Sequence, residues 1–509
     1  MVREMVTVQV GQCGNQIGRR FWAELLHEAA AQQQASGGAG GGTYDAAMSA
    51  FFRNVDARYE PPAELAVGAP LSSLRARALL IDTEEGVVSE TLRDPRFGDL
   101  FDAAQLVTDV SGAGNNWGHG YGEYGPKYGD EIEAAASAAL ERCDSPQAFF
   151  FLHSVGGGTG SGLGSAVLER FVDAFPDLCR FSVAVYPGGD DEDVVTAPYN
   201  AVLATQRLTA CADCVVPLEN QALLDVCARR SARGAQAPAS GRTATAAKAS
   251  KSGFDETNDV AAQLLSHLTA GARYSGGLNI DVNEIATNLV PFPRLHYLTA
   301  SYAPLLPRDF GGGGAAAAPD RGGGDDRARH PRHVQRLFAD AASPLSRLVA
   351  TYDAQPARPA ATLAVALLAR GDVVSADVAA AAARLRPQLR LPPWNPDGFK
   401  VGLCAVPPLR ASRAVLCLAN STAIARNFSA LRDRFVKLYR AKAMVHHYAN
   451  YIDGALFDEA LADLEALVGD YELAEQRPAA LYAPPPAPPP DDGTSDATPE
   501  PPAPPSVLL

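Results

Sequence analysis

Residues 149–164, FFFLHSVGGGTGSGLG, constrain this chain more than any other stretch. Phe149, Phe150, Phe151 and Leu152 form an apolar run of the length expected for a strand covered on both faces. Gly156, Gly157, Gly158, Gly160, Gly162 and Gly164 follow at once, where no side chain blocks approach and several backbone N–H groups can converge on one anion. Leu163, Val167, Leu168 and Phe171 then recur at helical spacing. The loop therefore opens onto a helix N-terminus, whose free N–H groups and dipole favour phosphate. A flexible turn is the alternative reading of the same glycines. The chain has no Gly-Lys-Ser/Thr, which excludes a P-loop, and its one G-x-G-x-x-G, Gly120 to Gly125, follows no apolar strand and reads as a loop.

Other strand–small-residue–helix units surround this one. Met5 to Val10 runs into Gly11-Gln12-Cys13-Gly14-Asn15-Gln16, and Phe21, Trp22, Leu25 and Leu26 continue at helical spacing. That block is either a tight strand–helix turn or a place for Gln12, Cys13 and Gln16 over a nucleotide. Ala76 to Asp82 reads as a buried strand ending in Thr83-Glu84-Glu85-Gly86, where Glu84 is a candidate indirect Mg2+ ligand or part of a solvated turn. Ser111 to Asn116 is a third small-residue loop. Strands are expected over Leu178–Tyr186 and Val215–Asn220, and a helix over Phe254–Arg273 with Val260, Leu264, Leu265 and Leu268 on its buried stripe. Asn420-Ser421-Thr422 is placed to cap a helix reaching about Tyr448, and Phe457–Glu475 reads as an acidic amphipathic helix.

A chain of 509 residues can bury a large core in two or more domains. Its net charge of −14 argues against broad nucleic-acid binding and suggests basic partners. No apolar run approaches the ~20 residues of a membrane span, and MVREMVTVQVGQ lacks a signal-peptide core. The eight scattered cysteines read as reduced cytosolic thiols, and Cys211-x-x-Cys214 lacks the second pair that a zinc site needs. Residues 35–42 read as a glycine-rich surface insertion, residues 231–252 are low-complexity, and the chain beyond Pro478 is proline-rich, expected to be disordered or polyproline II.

The run GGGTGSG, the block from Gly11 to Gly18, and Asn288-Leu289-Val290-Pro291-Phe292-Pro293-Arg294-Leu295-His296 resemble tubulins and their bacterial division-ring relatives. The resemblance covers roughly residues 1–477. The Tyr44–Asp56 segment and the insertion before Phe254-Asp255 are similar to the epsilon class in particular. It implies a doubly wound α/β GTPase domain with a six-stranded, largely parallel sheet, a central core helix, a second mixed α/β domain and a C-terminal helical hairpin. The expected boundaries are 1–228, a low-complexity insertion at 229–253, the core helix at 254–275, then 276–410, 411–477 and the tail at 478–509.

The same resemblance implies a site for GTP or GDP with Mg2+. It places Gln12, Cys13 and Gln16 over phosphates and base, and Ser154, Gly157, Gly158, Thr159 and Gly160 in the phosphate loop. Asn115 falls in the loop that reaches the terminal phosphate, and Glu84 faces the metal. Asn220 and Asn258 fall on the sugar and base edges, and Phe254 stacks on guanine. The ribose loop departs from the commoner tubulins: Ala197 precedes Pro198-Tyr199-Asn200, and the acids, ending at Asp193, lie earlier. Asp281-x-x-Glu284 is spaced as a helix capping box. By resemblance to alpha-type tubulins, Glu284 would also act catalytically on the nucleotide of a neighbouring subunit. Expected partners are delta-tubulin and alpha/beta-tubulin through longitudinal contacts, without nucleic acid or membrane. The expected setting is the cytoplasmic cytoskeleton, at centrioles and basal bodies. Residues 310–327, rich in Gly, Ala and Asp, stand where tubulins contact the next protofilament and offer little to bury. The rival reading is a dinucleotide-dependent oxidoreductase, disfavoured because three separate loops converge and no strand leads into the G-x-G-x-x-G.

Overall fold

A computed structural model describes residues 3–35, 46–55, 73–96, 98–188, 194–234, 252–304, 326–349 and 360–476. The expectations for residues 36–42, Asp193, the low-complexity insertion over 235–251, the segment 305–325 and the proline-rich tail lie outside them.

The FFFL run is the middle of strand β6 (Pro146–Ser154), and its four side chains are 0–1% exposed. Phe149 and Phe151 face one core with Phe171, and Phe150 and Leu152 face another with Ile17, Trp22 and Phe181. Alternation with both faces apolar is what a central parallel strand requires. Around it lie β1 (Glu4–Val10), β4 (Ala78–Asp82), β5 (Leu106–Thr108), β7 (Cys179–Tyr186) and β8 (Cys214–Glu219), in the order β5-β4-β1-β6-β7-β8. Every pairing is parallel, with Val8 between Leu79 and Phe151. Helix Gly11–Ala35 lies close on β6 because position 14 is glycine: a Cβ there would come within 2.0 Å of the Leu152 carbonyl oxygen.

A small antiparallel pair, β2 (Phe52–Asn54) and β3 (Leu74–Ala76), flanks this sheet. The continuous strand expected over Ala76–Asp82 is therefore broken at Arg77, whose buried guanidinium turns to Glu4 and to the Arg142 carbonyl. The core helix runs from Ser252 to Leu268, shorter than the expected reach to Arg273. After Thr269 the short helix Ala270–Arg273 brings Arg273 back onto Glu28. Helix Asn220–Gly234 crosses the expected boundary at 228.

The second sheet contains β9 (Leu298–Ala303), β10 (Thr362–Gly371), β11 (Phe399–Cys404) and β12 (Arg413–Ser421), in the order β11-β10-β12-β9. β10 pairs parallel with β11 and antiparallel with β12. Asn420, expected to cap a helix, is instead a buried residue of β12 whose amide donates to the Leu289 and Leu295 carbonyls. Helices Ile424–Arg440 and Ala455–Gln476 form the C-terminal hairpin and pack on helix Ala197–Cys211, where Tyr199 meets Phe435 and Phe457 edge-on. No helix among the described residues is long and apolar enough to cross a membrane.

The two sheets are joined through buried charge. Glu28, on the first helix, accepts from Arg273 at 2.8 Å and from Arg370 of β10 at 3.0 Å, and Ser266 of the core helix donates to it at 2.7 Å. Burial alone would raise the Glu28 pKa, but the two guanidinium groups outweigh it and hold the carboxyl at about 2.

Candidate functional site

Because the six strands run parallel, the loops after β1, β4, β5, β6, β7 and β8 emerge along one edge. Gly11, at φ +73°, turns β1 into its helix so tightly that a Cβ there would lie 2.9 Å from the Gly160 amide nitrogen. The β1 and β6 loops are thus in contact. Thr83 after β4 and Thr159 after β6 share a hydroxyl–hydroxyl bond of 2.5 Å. The loop after β5 reaches across with Gly114 and Asn115 both in the left-handed region, at φ 57° and 53°. The Asn115 Oδ1 is 3.9 Å from where a Cβ on Gly157 would stand, and nothing else comes within 4 Å of that point. Three small-residue loops therefore surround open space above Gly157.

Buried polar groups hold this cradle in shape. His153, within β6, bonds the Gly160 carbonyl through Nδ1 and the Ser182 hydroxyl through Nε2, each at 2.9 Å. Burial pushes its pKa down to about 4, so the ring is neutral. Ser154 Oγ accepts from the Gly156 amide at 3.2 Å. Asn200 is fully buried, and its Nδ2 donates to the carbonyls of Asn115 and Gly156. The Gly120–Gly125 stretch is helical, contrary to the loop expected. Asn116 caps the helical turn Trp117–His119 that leads into it, through Oδ1 to the Gly118 amide at 2.8 Å, and Gly120 packs where a Cβ would meet the Gly158 carbonyl at 2.5 Å. These glycines let a helix approach the phosphate loop; they do not form one of their own.

After β4, the exposed Glu84 lies over Gly112, and its amide donates to Asp82 Oδ1 at 3.3 Å. Burial, with the Glu84 charge adding to it, pushes Asp82 up to about 6. Gln12 is exposed, while Gln16 accepts from Asn258 Nδ2 at 3.4 Å, joining the first helix to the core helix. Burial pushes the Cys13 thiol up to about 12, which keeps it neutral and unreactive. Phe254, one turn before Asn258, is 60% exposed. Asn220 begins the helix after β8.

Glu284 stands apart from this group. It closes the expected capping box: its amide donates to Asp281 Oδ1 at 2.7 Å, and its Oε2 accepts from the Asp281 amide at 3.1 Å. Asp281 also pairs with Arg3 at 3.1 Å, immediately before β1. The helix carrying Glu284 (Val282–Leu289) therefore sits at the opposite end of β1 from the phosphate loops. Sequence reasoning missed Asp82, His153 and Asn200. The polar residue in an apolar strand at 153 and the carboxylate ending β4 were the available signals.

The residues fit a nucleoside polyphosphate with a divalent cation. The Gly157 cradle is open where a side chain would fill it, and the raised Asp82 beside Glu84 marks a carboxylate pair that a cation would relieve. Among the described residues no three His, Cys, Asp or Glu side chains group as a metal cage. That suits Mg2+, which keeps waters and takes phosphate oxygens beside one or two carboxylates.

Comparison with known proteins agrees with this geometry. The profile of the Tubulin/FtsZ family GTPase domain matches residues 4–228, and that of the tubulin C-terminal domain matches 293–433. The Mus musculus tubulin epsilon chain is 42% identical over 481 residues, covering 92% of this chain and 95% of its own. The Homo sapiens tubulin epsilon chain is 41% identical over 485 residues, with the same coverage. The Saccharomyces cerevisiae tubulin alpha-3 chain is 32% identical over 487 residues, covering 92% of this chain and 97% of its own. With a GTPase domain in the first half, a tubulin C-terminal domain in the second and epsilon chains similar over nearly the whole length, this chain belongs to the tubulin family, in its epsilon class.

Proposed function

We propose that this chain holds GTP or GDP with Mg2+ at the C-terminal edge of its parallel sheet and completes hydrolysis in the site of an adjoining subunit. The observation that carries this reading is the separation of Glu284 from the phosphate loops. β1 has seven residues, and at about 3.3 Å per residue the two lie about 20 Å apart along it. A carboxylate so placed cannot reach its own chain's nucleotide, but a head-to-tail stack brings it to the next one. Its side chain is 43% exposed and so available to a neighbour, with Lys400 at 3.9 Å. The glycine loops hold the phosphates and Glu284 orients the attacking water; a bound Mg2+, held beside Glu84, would supply the further compensation of phosphate charge.

In this reading Asn115 and the Gly157–Gly160 loop hold the phosphates, with Gln12, Cys13, Gln16 and Ser154 beside them. Glu84 serves the metal through water, Asp193 and Asn220 serve the sugar, and Phe254 with Asn258 serves the base. The chain takes part in building centriole or basal-body triplet microtubules with delta-tubulin and alpha/beta-tubulin as companions. Its similarity to epsilon chains supports that role. Isolated subunits are nearly inactive as GTPases.

Three measurements test this. Extraction of NAD or FAD in place of guanine nucleotide from the purified chain overturns the nucleotide assignment. Glu284→Ala is expected to retain its own GTP while slowing phosphate release in a reconstituted complex with the subunit facing it. Equal rates for variant and wild type reduce Glu284 to its capping role. Failure to sediment with delta- or alpha/beta-tubulin leaves a GTP-holding structural protein that does not polymerise.

A further inference from the structure

Asn200 is 0% exposed, and all four bonding positions of its amide are used. Nδ2 donates to the Asn115 carbonyl at 2.8 Å and to the Gly156 carbonyl at 2.9 Å. Oδ1 accepts from the Trp117 amide at 2.8 Å and from the Tyr448 hydroxyl at 2.6 Å. Only one orientation of the amide satisfies two donors and two carbonyls at once. Tyr448 is 1% exposed and belongs to the turn between the helices of the C-terminal hairpin. The turn has two further bonds to the site: Asn116 Nδ2 donates to the His447 carbonyl, and the Tyr199 hydroxyl to the Ala443 carbonyl, each at 2.8 Å. Lys442 and Met444 hold left-handed backbone at φ 50° and 59°, conformations that non-glycine residues keep only when their surroundings impose them.

We propose that Asn200 is a positioning residue that ties the loop over the terminal phosphate to the hairpin turn at residues 441–451, so that this turn responds to whether the third phosphate is present. The proposal rests on reading Ser111–Asn116 as that loop. Asn115 cannot move without displacing the Asn200 amide, because a saturated amide has no spare partner to exchange. That displacement must break or shift the bond from Tyr448. Met444, 39% exposed on the same turn, puts the change at the molecular surface. By reciprocity, whatever binds and fixes the turn changes the preference for GTP over GDP by the same factor.

The test compares full-length wild type, Tyr448→Phe and Tyr199→Phe. Tyr448→Phe removes one hydroxyl and keeps the ring against Tyr199 and Phe457. Tyr199→Phe removes an equivalent bond to the turn that does not pass through Asn200. Affinities for GTPγS and GDP are titrated, and amide exchange is followed over residues 441–451 with each nucleotide. In wild type these amides are expected to exchange at different rates with the two nucleotides. In Tyr448→Phe that difference shrinks, the direct bond from Asn116 to the His447 carbonyl carrying what remains, and the GTPγS/GDP affinity ratio falls about fivefold, the scale of a single coupled bond. In Tyr199→Phe the ratio is retained. Equal weakening of both nucleotides, or the same ratio change in both variants, makes Asn200 a purely structural residue and overturns the proposal. Identical exchange with either nucleotide in wild type overturns it as well. A wild-type chain that binds neither nucleotide removes the nucleotide reading itself, which distinguishes that failure from loss of coupling.

Discussion

Phe254 is 60% exposed in the first turn of the core helix, and in the proposed reading guanine stacks on it. Base–aromatic stacking contributes about 1–3 kcal/mol, so Phe254→Ala should weaken guanine nucleotide binding by that amount. Nucleotide retained at wild-type level after exhaustive dialysis contradicts it. His153 makes a prediction of a different kind, through protons. Its pKa is about 4 when folded and 6.5 when free, so the unfolded chain binds more protons between those values. The stability contributed by the neutral ring is fully present above the unfolded pKa and is lost as pH falls toward the folded one. His153→Gln cannot titrate. Its stability deficit relative to wild type should therefore shrink by about 2 kcal/mol between about pH 7 and about pH 5, measured by urea unfolding. A deficit constant across that range removes the linkage. His153 was hidden in sequence because a histidine inside an apolar run says nothing about its partners. Those partners, Gly160 and Ser182, come from a loop and from the neighbouring strand.

Among elements, what could be read in advance was local. The alternation of FFFL, the glycines after it and the stripe on the core helix each act within a few residues, and the strand, the loop and the buried stripe form where they were expected. The capping box at Asp281–Glu284 was legible for the same reason, since its two bonds span three residues. Asn200 was not, because its partners lie 44, 83, 85 and 248 positions away. The end of the core helix was misjudged because Arg273 answers to Glu28, 245 residues upstream. That contact sets a prediction for the elements it joins. Removing one partner from a buried charge group costs about 3–5 kcal/mol, because the remaining charges stay buried without compensation. Glu28→Ala should lower the unfolding free energy by that amount, read from denaturant midpoints at unchanged slope. A loss under about 1 kcal/mol contradicts the account.

For the whole molecule, the phosphate loops and Glu284 at opposite ends of β1 give the subunit a direction. A direction allows rows; it does not by itself supply sideways contacts. By resemblance, the segment standing where tubulins make those contacts is residues 310–327, whose Gly/Ala/Asp-rich composition offers few apolar side chains to offset the entropy of ordering it. Purified chain with GTP is accordingly expected not to assemble ordinary closed microtubules, and their appearance in electron micrographs would refute this.

The Glu28 group has a consequence for inheritance. Its three charged members come from the first helix, the short helix after the core helix and the second sheet, and Glu28 is the carboxylate that both buried guanidinium groups share. The boundaries drawn along the sequence are therefore not places where the chain can be cut. A second sheet transplanted alone would carry Arg370 into a new host without the carboxylate that makes its burial tolerable. The nucleotide half, kept alone, would leave Glu28 with one of its two countercharges. Recombination that trades one half without the other is therefore expected to cost stability at this group.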